Sequence, residues 1–181
     1  GFMYELNDGA VIKNVTFDAA YALNENSETA KPGNSHIAVI TTRTRGNNTI
    51  SNVAVVNSRV EATMADIPGG TATAGGIVAT GIEPKKLTLN NCFFDGASSE
   101  LVANGKTNDY TNTSVAGIAS MDANMNCVTL NSCISTGVPV VSMVPRVSYD
   151  RYQSANKRQV KISNCYSPIT EGFNLITNDI I

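Results

Sequence analysis

Five short segments of the chain share one pattern, and that pattern contains a slip no straight strand can hold. They are Ala10-Val-Ile-Lys-Asn-Val-Thr-Phe17, Asn48-Thr-Ile-Ser-Asn-Val-Ala-Val55, Leu87-Thr-Leu-Asn-Asn-Cys-Phe-Phe94, Val128-Thr-Leu-Asn-Ser-Cys-Ile-Ser135 and Val160-Lys-Ile-Ser-Asn-Cys-Tyr-Ser167. Apolar residues alternate with period two up to Ile12, Ile50, Leu89, Leu130 and Ile162, then resume at odd spacing at Val15, Val53, Cys92, Cys133 and Cys165. A straight strand would send the second set to the opposite face. The chain must therefore bend between them. Asn tolerates left-handed backbone and bonds to its own main chain. Asn14, Asn52, Asn91 and Asn164, with Ser132 in the deviant copy, are the expected corner residues.

The segments recur about every 32 to 41 residues, a period typical of stacked repeats. A second recurring stretch precedes three of the corners: His36-Ile-Ala-Val-Ile40, Gly75-Gly-Ile-Val-Ala79 and Ala116-Gly-Ile-Ala119. Each unit reads as about three short strands, none able to bury a face alone. Parallel stacking of like strands, about 4.8 Å apart, solves that problem. The expected fold is all-β: a right-handed parallel β-helix of about four to five rungs in one domain over 1–181, with a β-sandwich as the competitor. A composition rich in Asn, Thr, Ser, Val and Ala, without Trp, suits such a fold better than a helical bundle. Asp18–Ser35, Ala62–Ala74 and Ser99–Ser114 read as polar insertions along one edge, and Val144–Arg158 as a fourth placed elsewhere. Gly1 at the start and the apolar Ile180-Ile181 at the end suggest an excerpt from a longer chain.

The units from Gly75 through Gly96, from Ala116 through Gly137, and Ile162-Ser-Asn-Cys-Tyr-Ser167 resemble the GLUG-type repeats of bacterial surface proteins. In that family a Gly-Leu-hydrophobic-Gly core precedes an I-x-N-C-Y strand. This chain has Ala79 or Ser120 where the family has Gly, and its insertions are longer. The resemblance implies an exported bacterial or phage protein, extracellular or cell-surface in location, with an adhesive or structural role.

Charged residues make up 15% of the chain and the net charge is −2. Such a balance gives no global reason to expect nucleic acid or membrane partners. Cys92, Cys133 and Cys165 occupy a position filled by Val15 and Val53 in the other copies, which suggests an inward thiol stack. Together with Cys127 they allow three disulfide pairings. No zinc-like spacing occurs, His36 reads as a strand-end residue, and no cofactor is expected.

Large β-helices can cleave polysaccharides, which needs paired carboxylates or a base near a cation. Asp18, Asp95 and Asp122 share no repeat position, and Asp95 before Gly96 reads as a turn residue. Asp122-Ala-Asn-Met-Asn126 begins like a calcium loop but lacks its Gly and Glu. Pro68-Gly-Gly-Thr lacks the lysine of a phosphate loop. The expectation is a protein that is not an enzyme, with a polysaccharide lyase or hydrolase as the minority alternative.

One stretch is chemically unusual. Arg146, Arg151, Lys157, Arg158 and Lys161 are five of the 13 basic residues, and Tyr149 and Tyr152 lie among them. Aromatic faces stack on sugar rings and guanidinium forks pair with carboxylates or sulfates. Arg146, Tyr149, Arg151, Tyr152, Lys157 and Arg158 are therefore the candidate ligand-binding set, for acidic glycans or a cell-surface receptor. The plain alternative is a solvated insertion that keeps an exposed edge soluble. Tyr21 and Tyr110 stand in other insertions as possible platforms. The expected function is a non-catalytic surface or secreted module for adhesion or carbohydrate binding. A structural spacer, or an oligomeric phage receptor-binding fibre segment, is the alternative.

Overall fold

The computed structural model describes residues 1–26, 34–64, 71–79, 84–105, 112–121, 127–143 and 159–167. Among them there are strands and turns but no helix. The first pass of the chain comprises β1 (Met3–Leu6), β2 (Val11–Asp18), β3 (Tyr21–Asn26) and β4 (Ser35–Ala38). The second repeats it with β5 (Thr41–Thr44), β6 (Gly46–Val56), β7 (Arg59–Met64) and β8 (Thr71–Gly75). The third holds β9 (Val78–Ala79), β10 (Pro84–Asn90), β11 (Phe93–Asp95), β12 (Glu100–Asn104) and β13 (Asn112–Ala116). Then come β14 (Ala119–Met121), β15 (Cys127–Asn131), β16 (Ile134–Thr136), β17 (Val141–Met143) and β18 (Gln159–Ser163).

The strands form four sheets, visited in the same order by the first three passes. One runs β1-β5-β9-β14-β17, and another links β2, β6, β10, β15 and β18, with β11 and β16 continuing the far half of β6. The third is β3-β7-β12 and the fourth β4-β8-β13. Every strand pairing described is parallel, as in Ile12↔Ile50, Leu89↔Ile50, Leu89↔Leu130 and Leu130↔Ile162. That pairing is not the antiparallel one of a sandwich. Like residues consequently stack on like residues, which is how short strands bury a face together.

The bend falls where the phase slip requires it. Asn14, Asn52, Asn91, Ser132 and Asn164 all have positive φ, between 50° and 60°. Their neighbours Ile50, Val53, Leu89, Cys92, Leu130, Cys133, Ile162 and Cys165 are buried on the inner side. Backbone in this region is unfavourable for most side chains and tolerable for Asn, so the residue type and the corner explain each other.

Two expectations need correction. A unit has four sheet positions rather than three strands, because paired strand runs through the supposed polar insertions: β3 lies within 18–35, the end of β7 and the start of β8 within 62–74, and β12 and the start of β13 within 99–114. These strands bury small residues, Ala22, Ala62, Ala72, Ala74, Thr71, Thr73 and Ser114, so they show little contrast between faces in sequence. The stretches around Ile40, Ile77 and Ile118 are likewise not single strands. They carry the chain round a bend from β4 to β5, from β8 to β9 and from β13 to β14. The segment 144–158 does stand apart from the other three supposed insertions, since it joins the first sheet to the second, β17 to β18, as the connections β1–β2, β5–β6, β9–β10 and β14–β15 do.

Bulk in the core between the sheets is matched by absence of bulk opposite. Phe94 is fully buried, and a Cβ placed on Gly76 or Gly117 would strike its ring. The glycines of Gly75-Gly-Ile and Ala116-Gly-Ile thus make room for one aromatic side chain. One pass earlier the positions equivalent to Gly76 and Phe94 hold Val39 and the smaller Val55, both buried.

Candidate functional site

The six candidate ligand residues, Arg146, Tyr149, Arg151, Tyr152, Lys157 and Arg158, lie outside the described residues, as do Tyr110 and the Asp122–Asn126 stretch. What is described is where that basic segment lands. It returns to the fold at β18, where Lys161 is exposed and pairs with Thr129.

Lys161 therefore joins the outer face of the sheet that carries the corners. Strand alternation puts Ile50, Leu89, Leu130 and Ile162 inside and their neighbours outside. Thr49, Thr88 and Thr129 form one outer row, bounded by Val11 at one end and Lys161 at the other. Two residues further on, Lys13, Ser51, Asn90, Asn131 and Ser163 form a second. The members of this row bond to one another across the strands. Asn90 Nδ2 donates to Ser51 Oγ at 3.3 Å, Asn131 Nδ2 to Asn90 Oδ1 at 2.8 Å, and Ser163 Oγ to Asn131 Oδ1 at 2.8 Å. A third ladder runs along the corner, where Asn52 Nδ2 donates to Asn14 Oδ1 at 2.9 Å and Asn91 Nδ2 to Asn52 Oδ1 at 3.2 Å. These chains of bonds fix the side chains in one orientation, leaving parallel lines of hydroxyl and amide groups about 4.8 Å apart.

The Thr-x-Asn/Ser pattern behind these rows is visible in the aligned segments, but which face it occupies follows only from the bend. Tyr21 is exposed on β3 beside Arg59, whose guanidinium pairs with Glu61 at 3.1 Å and with Glu100. Tyr4 is exposed as well and lies under Arg43, 5.4 Å from the ring centroid, with Arg43 Nη1 donating to its hydroxyl at 2.9 Å.

Asp95, expected as a turn residue, is the last residue of β11, and its side chain bonds into the turn that follows at 96–98. Its carboxylate accepts from Ser98 Oγ at 2.8 Å, from the Ala97 N–H at 3.1 Å and from Thr136 Oγ1 at 3.1 Å. Those bonds, the Ser98 one foremost, hold its carboxyl below the usual range. His36 is half-buried on β4, with Nδ1 2.8 Å from Thr73 Oγ1. Among the described residues no group of three or more His, Cys, Asp or Glu side chains converges so as to share one metal ion.

Inside the coil Cys92, Cys133 and Cys165 are buried and free. Contact with the Cys133 thiol draws Cys92 below the ordinary thiol value. Contact with Cys165 holds Cys133 down, but contact with Cys92 and burial outweigh it, and Cys133 is pushed up to about 12. Cys165 is raised too, by its contact with Cys133 and by burial. Cys127 begins β15.

Comparison with protein-family models, with curated proteins and with solved structures finds no match to this chain.

Proposed function

We propose that the chain is a right-handed parallel β-helix, similar to GLUG-type repeat modules, that acts as a non-catalytic carbohydrate-binding or adhesive element outside the cell. The observation that carries this reading is the outer face on which Thr49, Thr88 and Thr129 run beside Ser51, Asn90 and Asn131. Lines of hydroxyl and amide groups repeating at strand spacing offer donors and acceptors to a polymer that also repeats. Lys161 and Lys13 bracket the face, and the segment rich in Arg and Tyr returns beside it, so acidic glycans are the favoured ligand class.

The test is a glycan array on the purified chain, with its mass fixed by light scattering. Binding to acidic glycans that weakens with salt is expected. It should fall in Thr88→Val/Thr129→Val, which keeps shape and removes two hydroxyls, and in Arg151→Ala/Tyr152→Ala. Binding unchanged in both variants would move the ligand elsewhere.

A specific observation favours the spacer reading as an alternative. Ile12, Val15 and Phe17 are only partly buried, whereas Ile50, Val53 and Val55 one pass later are fully inside, and Phe2, Val11, Tyr21 and Leu23 are exposed on the same pass. Such an end suits stacking on a coil of like cross-section. A silent array together with a mass of two or more chains would favour it.

A further inference from the structure

The column of thiols inside the bend has a geometry that its sequence position alone does not reveal. Cys92, Cys133 and Cys165 follow the corner residues in three successive strands of one sheet. Their register is set on both sides, by Leu89↔Leu130 and Leu130↔Ile162 before the corner and by Phe93↔Ile134 and Ile134↔Tyr166 after it. The main chain stays bonded through the column: the Ile134 N–H donates to the Cys92 carbonyl at 2.8 Å and the Tyr166 N–H to the Cys133 carbonyl at 2.9 Å.

The three side chains also share one orientation. Each thiol donates to the carbonyl two residues back, Cys92 to Asn90 at 3.4 Å, Cys133 to Asn131 at 3.5 Å and Cys165 to Ser163 at 3.3 Å. The Cys133 N–H further donates to Cys165 Sγ at 3.3 Å. Three like rotamers on in-register parallel strands place their sulfur atoms in a line, at about the strand separation of ~4.8 Å. Two metal–thiolate bonds of about 2.3 Å laid end to end span nearly that distance.

The geometry points to a two-coordinate site for a soft monovalent ion, copper(I) or silver(I), held between Cys133 and either Cys92 or Cys165. Thiolate sulfur selects such ions over harder ones, and two ligands in a line are enough for them where zinc takes four. Each thiol that ligates gives its proton to solvent and the ion takes its place, and no electron is transferred. The apolar surroundings, Ile50, Leu89, Leu130 and Val53, exclude water and competing hard ligands.

The repeat itself supplies the control. Val15 and Val53 fill the same column position in the first two passes, so valine is a substitution this fold already accepts there. Silver(I) is titrated into the reduced full chain in chloride-free buffer, with stoichiometry read by native mass spectrometry and the unfolding midpoint read in parallel. One ion per chain and a raised midpoint are expected for the parent, and for Cys92→Val and Cys165→Val, each of which keeps one adjacent pair. Cys133→Val leaves the remaining two sulfurs two strands apart and is expected to lose the ion and the rise. Should Cys133→Val fail to fold, Cys92→Val/Cys165→Val, with Cys133 alone, must lose it equally.

Retention of the ion in Cys133→Val, or its loss in Cys127→Ser, would overturn the assignment. So would a parent chain that resists reduction and is two mass units lighter, since that column would be a disulfide.

Discussion

The left-handed corner is the feature on which the parallel sheets turn, and Asn52 measures what it is worth. Its φ is 54°, its amide donates to Asn14 and its carbonyl accepts from Asn91. Replacement by Ala keeps a Cβ in left-handed backbone but loses the short polar side chain that lets Asn tolerate it, at roughly 1–2 kcal/mol, and removes two solvent-exposed side-chain hydrogen bonds worth about 0.5 kcal/mol each. Asn52→Ala should thus destabilise by about 2–3 kcal/mol, which for a chain of this size lowers the midpoint by about 4–12 °C. Asn52→Gly loses the same two bonds but adopts the corner freely, and is offset only by a more flexible unfolded chain, about 0.4–1 kcal/mol. It should be the more stable variant, by roughly 0.5–1 kcal/mol. Ser132 supplies the reverse experiment, because it holds φ at 53° without an amide. Ser132→Asn should gain about 0.5–1 kcal/mol. Urea unfolding followed by circular dichroism reads all three, with an unchanged dependence on denaturant as the check that the unfolded state is the same. An Asn52→Ala no less stable than Asn52→Gly would refute the claim that backbone conformation selects Asn here. A Ser132→Asn that loses stability would refute the ladder.

Two further outcomes follow from the interior. Phe94→Ala should cost about 3–5 kcal/mol, and Gly117→Ala about 1–3 kcal/mol through its clash with the Ser135 side chain and the Phe94 ring. Combining Gly117→Ala with Phe94→Leu should cost less than the sum of the two in denaturant unfolding, and strict additivity would show that ring and glycine do not share the space. Cys133 titrates at about 12 when folded, above the ordinary thiol value near 8.5, so its contribution is complete below about pH 8.5 and is lost as pH rises. Unfolding midpoints measured from pH 7 upward under reducing conditions should fall more steeply in the parent than in Cys133→Val. The difference should approach about 1.4 kcal/mol per pH unit, and parallel curves would refute it.

Much of the frame was legible in the residues. A corner needs a left-handed residue and an apolar residue on each side of it. Both leave marks in sequence: Asn14, Asn52, Asn91 and Asn164 on the one hand, and the column from Val15 to Cys165 on the other. The candidate site was legible in a different sense. Clustered Arg and Tyr at 146–158 declare chemistry by type alone, whereas the rows of Thr and Asn become a face only once the bend has decided which side is outside.

Sequence by itself determined where the chain turns and which residues stack, because backbone conformation and apolar periodicity are local properties. Tertiary structure alone decided that Thr71-Ala-Thr-Ala-Gly75 is a strand buried along its whole length, since small residues carry no facial contrast until neighbouring strands cover them. It alone seated Phe94 against Gly76 and Gly117, which are 18 and 23 residues away along the chain. And it alone took the chain from β16 through Gly137, at φ 73°, straight to β17, bypassing two sheets that three earlier passes had built. Those outcomes depend on which sheets face one another, and distance between sheets is not written in the order of residues along the chain.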